Sequence, residues 1–303
     1  MSETSPVSAV EPVARKRRSG RLRRGLASLG WALAGVLLVV VMWELVKLIG
    51  AVIPLPLDTG DQAMPHVWTM LQGALQPEVR GSDTTVLQAV AMATVRSLLV
   101  AMGGFAIGVG IGLLLAVIMQ RFWFAERGLL PFVIASQTVP LIALAPLIVG
   151  IGNRISIGPF EWNTTYSVMF IAAYLAFFPL SVGALRGLQA PSATHIELMR
   201  SYAATPGQTL RKLRFPASVP YLVPALKVSA AASVVGTVVA EISTGQRGGI
   251  GRLVIEYARE MTASPAKVYV AVLGAIAVGL LAAALVTALD IALTRNLPKE
   301  QAA

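Results

Sequence analysis

The chain has 303 residues, of which 55% are hydrophobic and only 13% are charged, and its mean hydropathy is +0.71. Soluble domains carry about 25% charged residues, so this composition excludes an ordinary water-soluble protein and places the chain in a lipid bilayer. The chain has no cysteine, which excludes disulfides and cysteine metal sites. The net charge of +10 does not indicate nucleic-acid binding, because the basic residues follow a membrane topology.

The first 28 residues are expected to form a disordered, basic cytoplasmic tail. Seven Lys and Arg residues lie between positions 15 and 24, a run typical of a segment on the inner side of a membrane. The apolar segment 31–53 that follows is longer than the core of a signal peptide, so we interpret it as an uncleaved first span. Within it, Glu44 and Lys47 are three positions apart, and we expect them to offset each other on one helical face.

Six apolar stretches are long enough to cross a bilayer, which takes about 20 residues of helix. The polar segments between them include a predicted outer loop, 54–83, and a glycine-rich turn, 244–251, that is predicted to be bent or re-entrant. The sequence therefore predicts an all-α integral membrane protein whose six-span domain covers 29–293, followed by a polar tail, 294–303. The predicted spans are 31–53, 90–119, 129–151, 166–185, 219–242 and 268–293.

The distribution of basic residues predicts which side of the membrane each loop faces, because short cytoplasmic loops carry an excess of Lys and Arg. If the N-terminus is inside, sixteen of the 25 basic residues lie in cytoplasmic segments and six lie in outer loops. This asymmetry predicts that both termini are cytoplasmic. It also places the polar segment 186–218 in the cytoplasm.

The second and third spans contain features that predict their packing. Gly104, Gly108 and Gly112 are spaced four apart in the second span, which predicts close approach of another helix. The third span contains three prolines, including Pro140 and Pro146. Prolines kink or break a helix, and the freed carbonyls are tolerated at membrane depth only against protein or water. We therefore predict a kinked or broken third span that lines a cavity.

The polar segment between the fourth and fifth spans predicts two short helices. Thr194 and Glu197 have the spacing of a capping box for the first helix. Thr205 is followed by a proline at the first helical position and, three residues on, by Gln208, which predicts an N-cap and a second capping box. Pro216 is expected to end the second helix.

The same segment carries a spaced pattern of residues that matches a known family. It consists of a Glu, a small residue six positions later and, after nine further residues, an apolar-x-apolar-Pro ending, here Glu197, Ala203, Leu213, Phe215 and Pro216. This pattern resembles the cytoplasmic EAA loop of ABC-importer permeases. The chain departs from the family pattern at Ala203, where the family usually has glycine, and at Leu198 and Met199, where it usually has alanines.

Three further motifs extend the resemblance over roughly residues 85 to 290. They are Pro140–Pro146 with Gly152, the Ala-Phe-Phe-Pro run at 176–179, and Glu241 followed by Gly-Gly-Ile-Gly at 248–251. In this order they are similar to motifs of nitrate/sulfonate/taurine-type permeases. The resemblance implies the type I ABC importer permease fold.

The family resemblance also implies a function, which is import of a small solute by alternating access, coupled to a separate ATPase. The chain has no Walker A lysine, so we expect it not to be an enzyme and to leave ATP and magnesium to that partner. The residues implied to contact the ATPase are Glu197, Ser201, Tyr202, Ala203, Pro206, Gly207, Leu213 and Pro216. The implied gate or pathway residues are Pro140, Pro146, Glu241, Gly249 and Gly251.

The implied partners are a cytoplasmic ABC ATPase dimer, an extracytoplasmic substrate-binding protein, and a second copy or a sister permease in a bacterial inner membrane. The implied solutes include nitrate, sulfonates, taurine and pyrimidine or vitamin precursors, and we expect no cofactor or metal in this chain and no nucleic-acid partner.

An ion-coupled secondary transporter remains an alternative, although it would need ionisable residues at the bilayer midplane. A membrane enzyme is disfavoured because His66 and His195 are the only histidines and no metal-ligand spacing appears.

Overall fold

The computed structural model describes residues 19–53, 58–79 and 81–294. Apart from one hairpin of two-residue strands, β1 (Ser156–Ile157) and β2 (Phe160–Glu161), its regular elements are helices, so the predicted all-α class is confirmed. The helices are α1 (Ser19–Val52), α2 (Val67–Ala74), α3 (Val86–Arg121), α4 (Trp123–Ala135), α5 (Leu141–Gly152), α6 (Thr164–Gln189), α7 (Ala193–Ser201), α8 (Pro206–Thr209), α9 (Phe215–Thr244), α10 (Ile250–Arg259) and α11 (Pro265–Thr294).

Five of the described helical segments are long and apolar enough to cross a membrane, and the bent pair α4–α5 would make a sixth. Each of the six predicted spans overlaps one of these segments. Several helices are longer than the predicted spans, and α3 alone has 36 residues. A helix of that length measures about 54 Å, whereas the apolar core of a bilayer is about 30 Å thick. The ends of α3 therefore extend beyond the apolar layer.

The chain divides into two compact units, residues 1–68 and 69–303. The first unit contains α1, which begins at Ser19 and so includes the last ten residues of the predicted disordered tail. This corrects the predicted boundary. The ten residues contain no proline, and half of them are Arg or Leu, which are good helix formers. Extending an existing helix also costs far less than nucleating one. The rest of that tail, and residues 295–303, lie outside the described residues.

Within the first unit, two side chains of α1 contact side chains of the segment that follows it. The Lys47 ammonium lies 2.5 Å from a carboxylate oxygen of Asp61, and the Glu44 carboxylate lies 2.7 Å from Nδ1 of His66. As their spacing predicted, the charge of Lys47 also acts on the Glu44 carboxylate, but less strongly than the contact with His66. Each side chain has a closer partner of opposite or complementary character in the segment 58–68, which the sequence spacing within α1 did not reveal.

The second unit is built around α3, α6 and α9, which pack along one another. The glycine spacing in α3 allows its contact with α6. A Cβ at Gly108 would lie 2.8 Å from the carbonyl oxygen of Ala173, and one at Gly112 would lie 2.9 Å from that of Phe177. Only glycine permits so close an approach between two backbones. The predicted close packing of this helix is confirmed.

The third predicted span is broken. A 3₁₀ turn, Ser136–Thr138, separates α4 from α5, and the two helical parts are bent by 102°. Pro140 stands at the N-cap of α5, while Pro146 lies inside it. The hydroxyl of Tyr174 on α6 donates a hydrogen bond to the carbonyl of Ser136 at the break, which also accepts a long bond, 3.4 Å, from the amide of Val139. The prediction of a kinked or broken helix is confirmed; that it lines a cavity stays a prediction.

Candidate functional site

The polar loop begins with α7, and Ser192 is its N-cap. The hydroxyl of Ser192 accepts a hydrogen bond from the amide of His195 at 3.5 Å and lies 2.8 Å from Nδ1 of the same histidine. The predicted capping box of Thr194 and Glu197 is therefore wrong. Ser192 already has the extended backbone of an N-cap (φ −64°, ψ 158°), so Thr194 falls inside the first turn, where its hydroxyl cannot cap the helix.

The bend after α7 is centred on Ala203. Its φ of 52° is the only positive φ of a non-glycine residue in the described part of the chain. The amide of Ala203 donates to the carbonyl of Arg200 at 2.8 Å, and the amide of Ala204 donates to that of Met199 at 3.0 Å. These are the two bonds of a Schellman motif, which favours glycine at the left-handed position. Alanine keeps the bend here at a cost of about 1 kcal/mol.

The start of α8 agrees with the sequence prediction. The Thr205 hydroxyl accepts from the Gln208 amide at 3.3 Å, and the Gln208 side chain accepts from the Thr205 amide at 2.8 Å. Pro206 occupies the first turn, where its missing N–H costs nothing. The predicted capping box is confirmed, and it fixes where the second helix of the loop begins.

Pro216 does not end that helix, contrary to the prediction. A π-helical turn, Leu210–Arg214, follows α8, and the amide of Phe215 donates to the carbonyl of Leu210, five residues back. The helix then continues directly into α9. A π turn shifts the hydrogen-bond register by one residue, which relieves the contact that the proline ring would make with the carbonyl four residues earlier in an α-helix.

The loop presents an exposed and partly apolar surface. Glu197 is exposed, Leu198 is 52% exposed and Tyr202 is 77% exposed, although none of the three lies in a candidate membrane span. Of the other residues predicted to contact the ATPase, Leu213 is half-buried, and the exposed ones are Ser201, Ala203, Pro206, Gly207 and Pro216.

Glu241, near the other end of α9, is the centre of a second site. Its side chain is fully buried. One carboxylate oxygen accepts from the hydroxyl of Ser97 at 2.6 Å, and the other accepts from the amide of Gly251 at 2.8 Å. The Ser97 hydroxyl in turn accepts from the amide of Ile250 at 2.8 Å. Both amides belong to the first turn of α10, where helices lack internal partners, so Glu241 and Ser97 cap α10 from two neighbouring helices.

The glycines of this turn are required by the buried carboxylate. A Cβ on Gly249 would collide with the carboxyl group of Glu241, and one on Gly251 would collide with the carbonyl of Val238. Gly248 adopts a φ of 79°, which side chains rarely tolerate. Packing around Glu241 thus explains why glycines recur here. Their role as pathway residues stays a prediction.

Sequence reasoning missed Ser97, which is as central to this turn as Glu241. Ser97 lies inside a long apolar helix, and no spacing or motif distinguishes it from the other small residues there. Only its contact with Glu241, 144 positions away, reveals it. Beside the turn lies a cavity of about 850 Å³ whose lining includes Arg96, Gly248 and Gly249.

The predicted site residues therefore form separate groups rather than one centre. The loop and the Glu241 turn lie at opposite ends of α9, whose 30 residues measure about 45 Å. Pro140 and Pro146 belong to α5, which packs against α6 and α9. Within the described ranges, no three His, Asp or Glu side chains are grouped so that they could hold a metal ion. The structure thus places the exposed loop and the buried Glu241 turn in separate parts of a helical unit.

Comparisons with known proteins fit this geometry. Formylaminopyrimidine transport permease protein ThiX of Halalkalibacterium halodurans is 32% identical over 150 residues, which cover 49% of this chain and 55% of that protein. Riboflavin transport system permease protein RibX of Chloroflexus aurantiacus is 27% identical over 164 residues, or 53% and 56% of the two chains. The putative aliphatic sulfonates transport permease protein SsuC of Bacillus subtilis is 25% identical over 239 residues, 78% of each.

This chain thus spans little more than half the length of the first two of these relatives. A family model gives a broader match. Residues 108–295 match the family described as "Binding-protein-dependent transport system inner membrane component". That range includes the loop, the Glu241 turn and the broken helix between α4 and α5. Because it covers well over half of the chain, the chain belongs to this family, the ABC-importer permeases that its loop motif resembles.

Proposed function

We propose that this chain is the membrane-spanning permease subunit of an ATP-driven, binding-protein-dependent importer of a small solute. The observation that carries the proposal is the exposed loop from Ala193 to Thr209, which holds Glu197 and Tyr202 outside the spans on two capped helices. Family membership supports the same conclusion, since the family is named for binding-protein-dependent transport.

In this proposal α7 sits in a groove of a separate cytoplasmic ATPase. Glu197 pairs with a basic residue of that groove, while the exposed side chains of Leu198 and Tyr202 are buried in the contact. The Schellman bend at Ala203 fixes the angle between the two helices of the loop, so little ordering is needed on binding. ATP and magnesium bind the ATPase. Its two copies offer two grooves and this chain supplies one loop, so a second copy or a sister permease completes the complex.

Movement of the loop is transmitted to the membrane along one helical segment. From Pro206 to Thr244 the chain is helical for 39 residues without interruption, through α8, the π turn and α9. Near the far end of this segment, Glu241 is bonded to α3 through Ser97 and to α10 through Gly251. Closure of the ATPase would therefore move the loop and the outer turn together, as alternating access requires. An extracytoplasmic binding protein would deliver the solute to that side.

The solute is inferred from the relatives. Their names specify formylaminopyrimidine, riboflavin and aliphatic sulfonates, all small organic molecules. We propose that the solute of this chain is of similar size. The chain then belongs to the group of importers for nitrate, sulfonates, taurine and pyrimidine or vitamin precursors. We propose that the chain resides in the cytoplasmic membrane of a bacterium.

An ion-coupled secondary transporter is the alternative class of function. It would require an ionisable group near the bilayer midplane that can exchange its ion or proton. Several ionisable side chains of the described spans favour the importer instead, because they are paired with an acid or lie near the end of a helix. Lys227 lies 2.8 Å from Asp290, Lys47 lies 2.5 Å from Asp61, and Glu241 lies only three residues before the end of α9.

Co-purification from native membranes in mild detergent tests the proposal. The wild-type chain is expected to bring an ATPase with it, and Glu197→Arg combined with Ala203→Glu should remove that ATPase without disturbing the spans. The matched control is Glu256→Arg with Ala258→Glu, which makes the same changes at exposed positions of α10 and should retain the ATPase. A wild-type preparation without an ATPase would contradict the proposal, and ion-gradient-driven uptake in liposomes would then test the alternative.

A further inference from the structure

Three arginines meet at a polar cavity between the end of α3 and the loop. The cavity has a volume of about 390 Å³, and Arg121, Arg200 and Arg214 line it. The three residues come from three separate elements, α3, α7 and the π turn. The remaining lining residues are neutral: Gln120, Ile196, Ala204, Pro206 and Thr209.

No carboxylate neutralises these charges within the part of the chain that the structure describes. One guanidinium nitrogen of Arg214 donates to the carbonyl of Leu188 at 2.7 Å, and the guanidinium of Arg121 lies 5.4 Å from the centre of the Phe122 ring. Neither contact supplies a negative charge that would neutralise the guanidinium group. By contrast, Lys227 lies 2.8 Å from the carboxylate of Asp290. The cavity therefore concentrates positive charge that no ion pair of the described residues offsets.

The negative ends of helix dipoles offset only part of this positive charge. Arg121 and Arg200 stand in the last turns of α3 and α7, and Arg214 bonds a carbonyl near the end of α6. Each C-terminal helix end carries about half a negative charge. Three such ends offset about 1.5 of the three positive charges, which leaves a positive excess of about 1.5 around a cavity with no acidic lining residue.

We propose that this cavity binds a phosphate group and thereby ties the loop to α3. A phosphate group is tetrahedral, so its unesterified oxygens, two in a lipid phosphodiester and three or more in a free phosphate, accept hydrogen bonds from guanidinium groups that approach from different sides, whereas the two oxygens of a carboxylate lie in one plane. The cavity lies next to the ends of spans, on the predicted cytoplasmic side, where the headgroups of anionic phospholipids are found. A soluble phosphate compound is the other source of the same chemistry. The proposal does not depend on the importer function.

Two probes and two double variants test this site in the purified full chain. The probes are phosphatidylglycerol, followed by native mass spectrometry, and inorganic pyrophosphate, followed by thermal unfolding. Arg121→Gln with Arg200→Gln removes two cavity charges but leaves Arg214 and its bond to α6 intact. Arg186→Gln with Lys212→Gln removes two exposed charges that do not line the cavity, and serves as the control.

We expect at least one probe to bind the wild type and the control equally, and to bind the cavity variant at least tenfold more weakly. Binding of phosphatidylglycerol alone identifies a lipid headgroup as the ligand, and binding of pyrophosphate identifies a soluble phosphate. The proposal is overturned if neither probe binds the wild type. It is also overturned if both double variants lose binding to the same extent, because attraction would then depend on overall charge and not on this cavity.

Discussion

The buried carboxylate of Glu241 accepts a hydrogen bond from the hydroxyl of Ser97, 2.6 Å away, and so joins α9 to α3. The second carboxylate oxygen accepts from the amide of Gly251, which brings α10 into the same junction. A buried polar group is stable only when it is hydrogen-bonded. This one carboxylate therefore holds three helices of the second unit in a fixed arrangement.

Removing the Glu241 carboxylate should destabilise the protein. Glu241→Ala leaves the Ser97 hydroxyl and the Gly251 amide without their acceptor, and each orphaned buried donor costs about 1–3 kcal/mol. Glu241→Gln should have a smaller effect, since the amide oxygen can still accept a bond. Thermal unfolding in detergent measures both. Glu256→Ala is the control, because Glu256 is exposed and its i,i+4 pair with Arg252 is worth about 0.3–0.5 kcal/mol. Equal melting temperatures for Glu241→Ala and Glu256→Ala would contradict this account.

Two glycines of α3 provide a matched pair for testing its contact with α6. Gly108→Ala should weaken the contact by a few kcal/mol, as expected when a core is overpacked by about one methyl group, since its Cβ would lie 2.8 Å from both the Ala173 carbonyl and the Ala176 Cβ. At Gly110, two residues away, a Cβ would meet nothing within 4 Å, so Gly110→Ala should be neutral or stabilising by up to about 1 kcal/mol. Melting temperatures distinguish the two, and a Gly110→Ala loss as large as that of Gly108→Ala would refute the α3–α6 assignment.

Ala203→Gly should stabilise the bend of the loop. Glycine relieves the strain of the left-handed backbone at this position, which is worth about 1 kcal/mol. Hydrogen exchange of the amides of Ala203 and Ala204, the two donors of the Schellman motif, should slow, while the global melting temperature stays nearly constant because the loop is exposed. Ala204→Gly is the control and should speed exchange. Faster exchange in Ala203→Gly would show that the bend is not strained.

Tyr257 should make stability fall at alkaline pH. Burial, together with the nearby carboxylate of Glu78, raises the pKa of the Tyr257 phenol above its ordinary value of 10.0, and the hydroxyl donates to Glu78 at 3.3 Å. Because the folded-state pKa is the higher one, this contribution is fully present below about pH 10 and is lost as the pH rises through the folded-state pKa. Tyr257→Phe should therefore flatten the decline in melting temperature above roughly pH 10. The exposed Tyr202→Phe should leave the decline unchanged, and a decline that persists in Tyr257→Phe would exclude this tyrosine as its cause.

Local patterns in the sequence predicted much of the fold. Apolar length and proline content suffice for the helices and for the break before Pro140, because both follow from the backbone of the residues concerned. The glycine spacing around Gly108 predicted a close contact for the same reason. The capping box at Thr205 and Gln208 is also local, and the structure contains it.

The remaining features could not be predicted, because the residue types alone are compatible with more than one local structure. Ser192 and Thr194 are both good N-cap residues, and the backbone conformation of Ser192 decides between them. The π turn before Pro216 is a matter of hydrogen-bond register, which has no sequence signal of its own. The Ser97–Glu241 contact joins positions that become neighbours only once α3 and α9 pack together.

A single-cysteine crosslinking experiment tests the central claim most directly, which is that α7 docks on an ATPase. The chain has no cysteine, so Tyr202→Cys introduces the only thiol of this subunit, at the most exposed apolar position of the loop. A short thiol-specific photo-crosslinker, applied in native membranes, should join Tyr202→Cys to a protein that carries a Walker A motif. It should not join Glu256→Cys to that protein, because Glu256 lies on α10, beyond the far end of α9. If Tyr202→Cys gives no such product in membranes that retain uptake, or if Glu256→Cys gives it equally, the loop is not the ATPase contact.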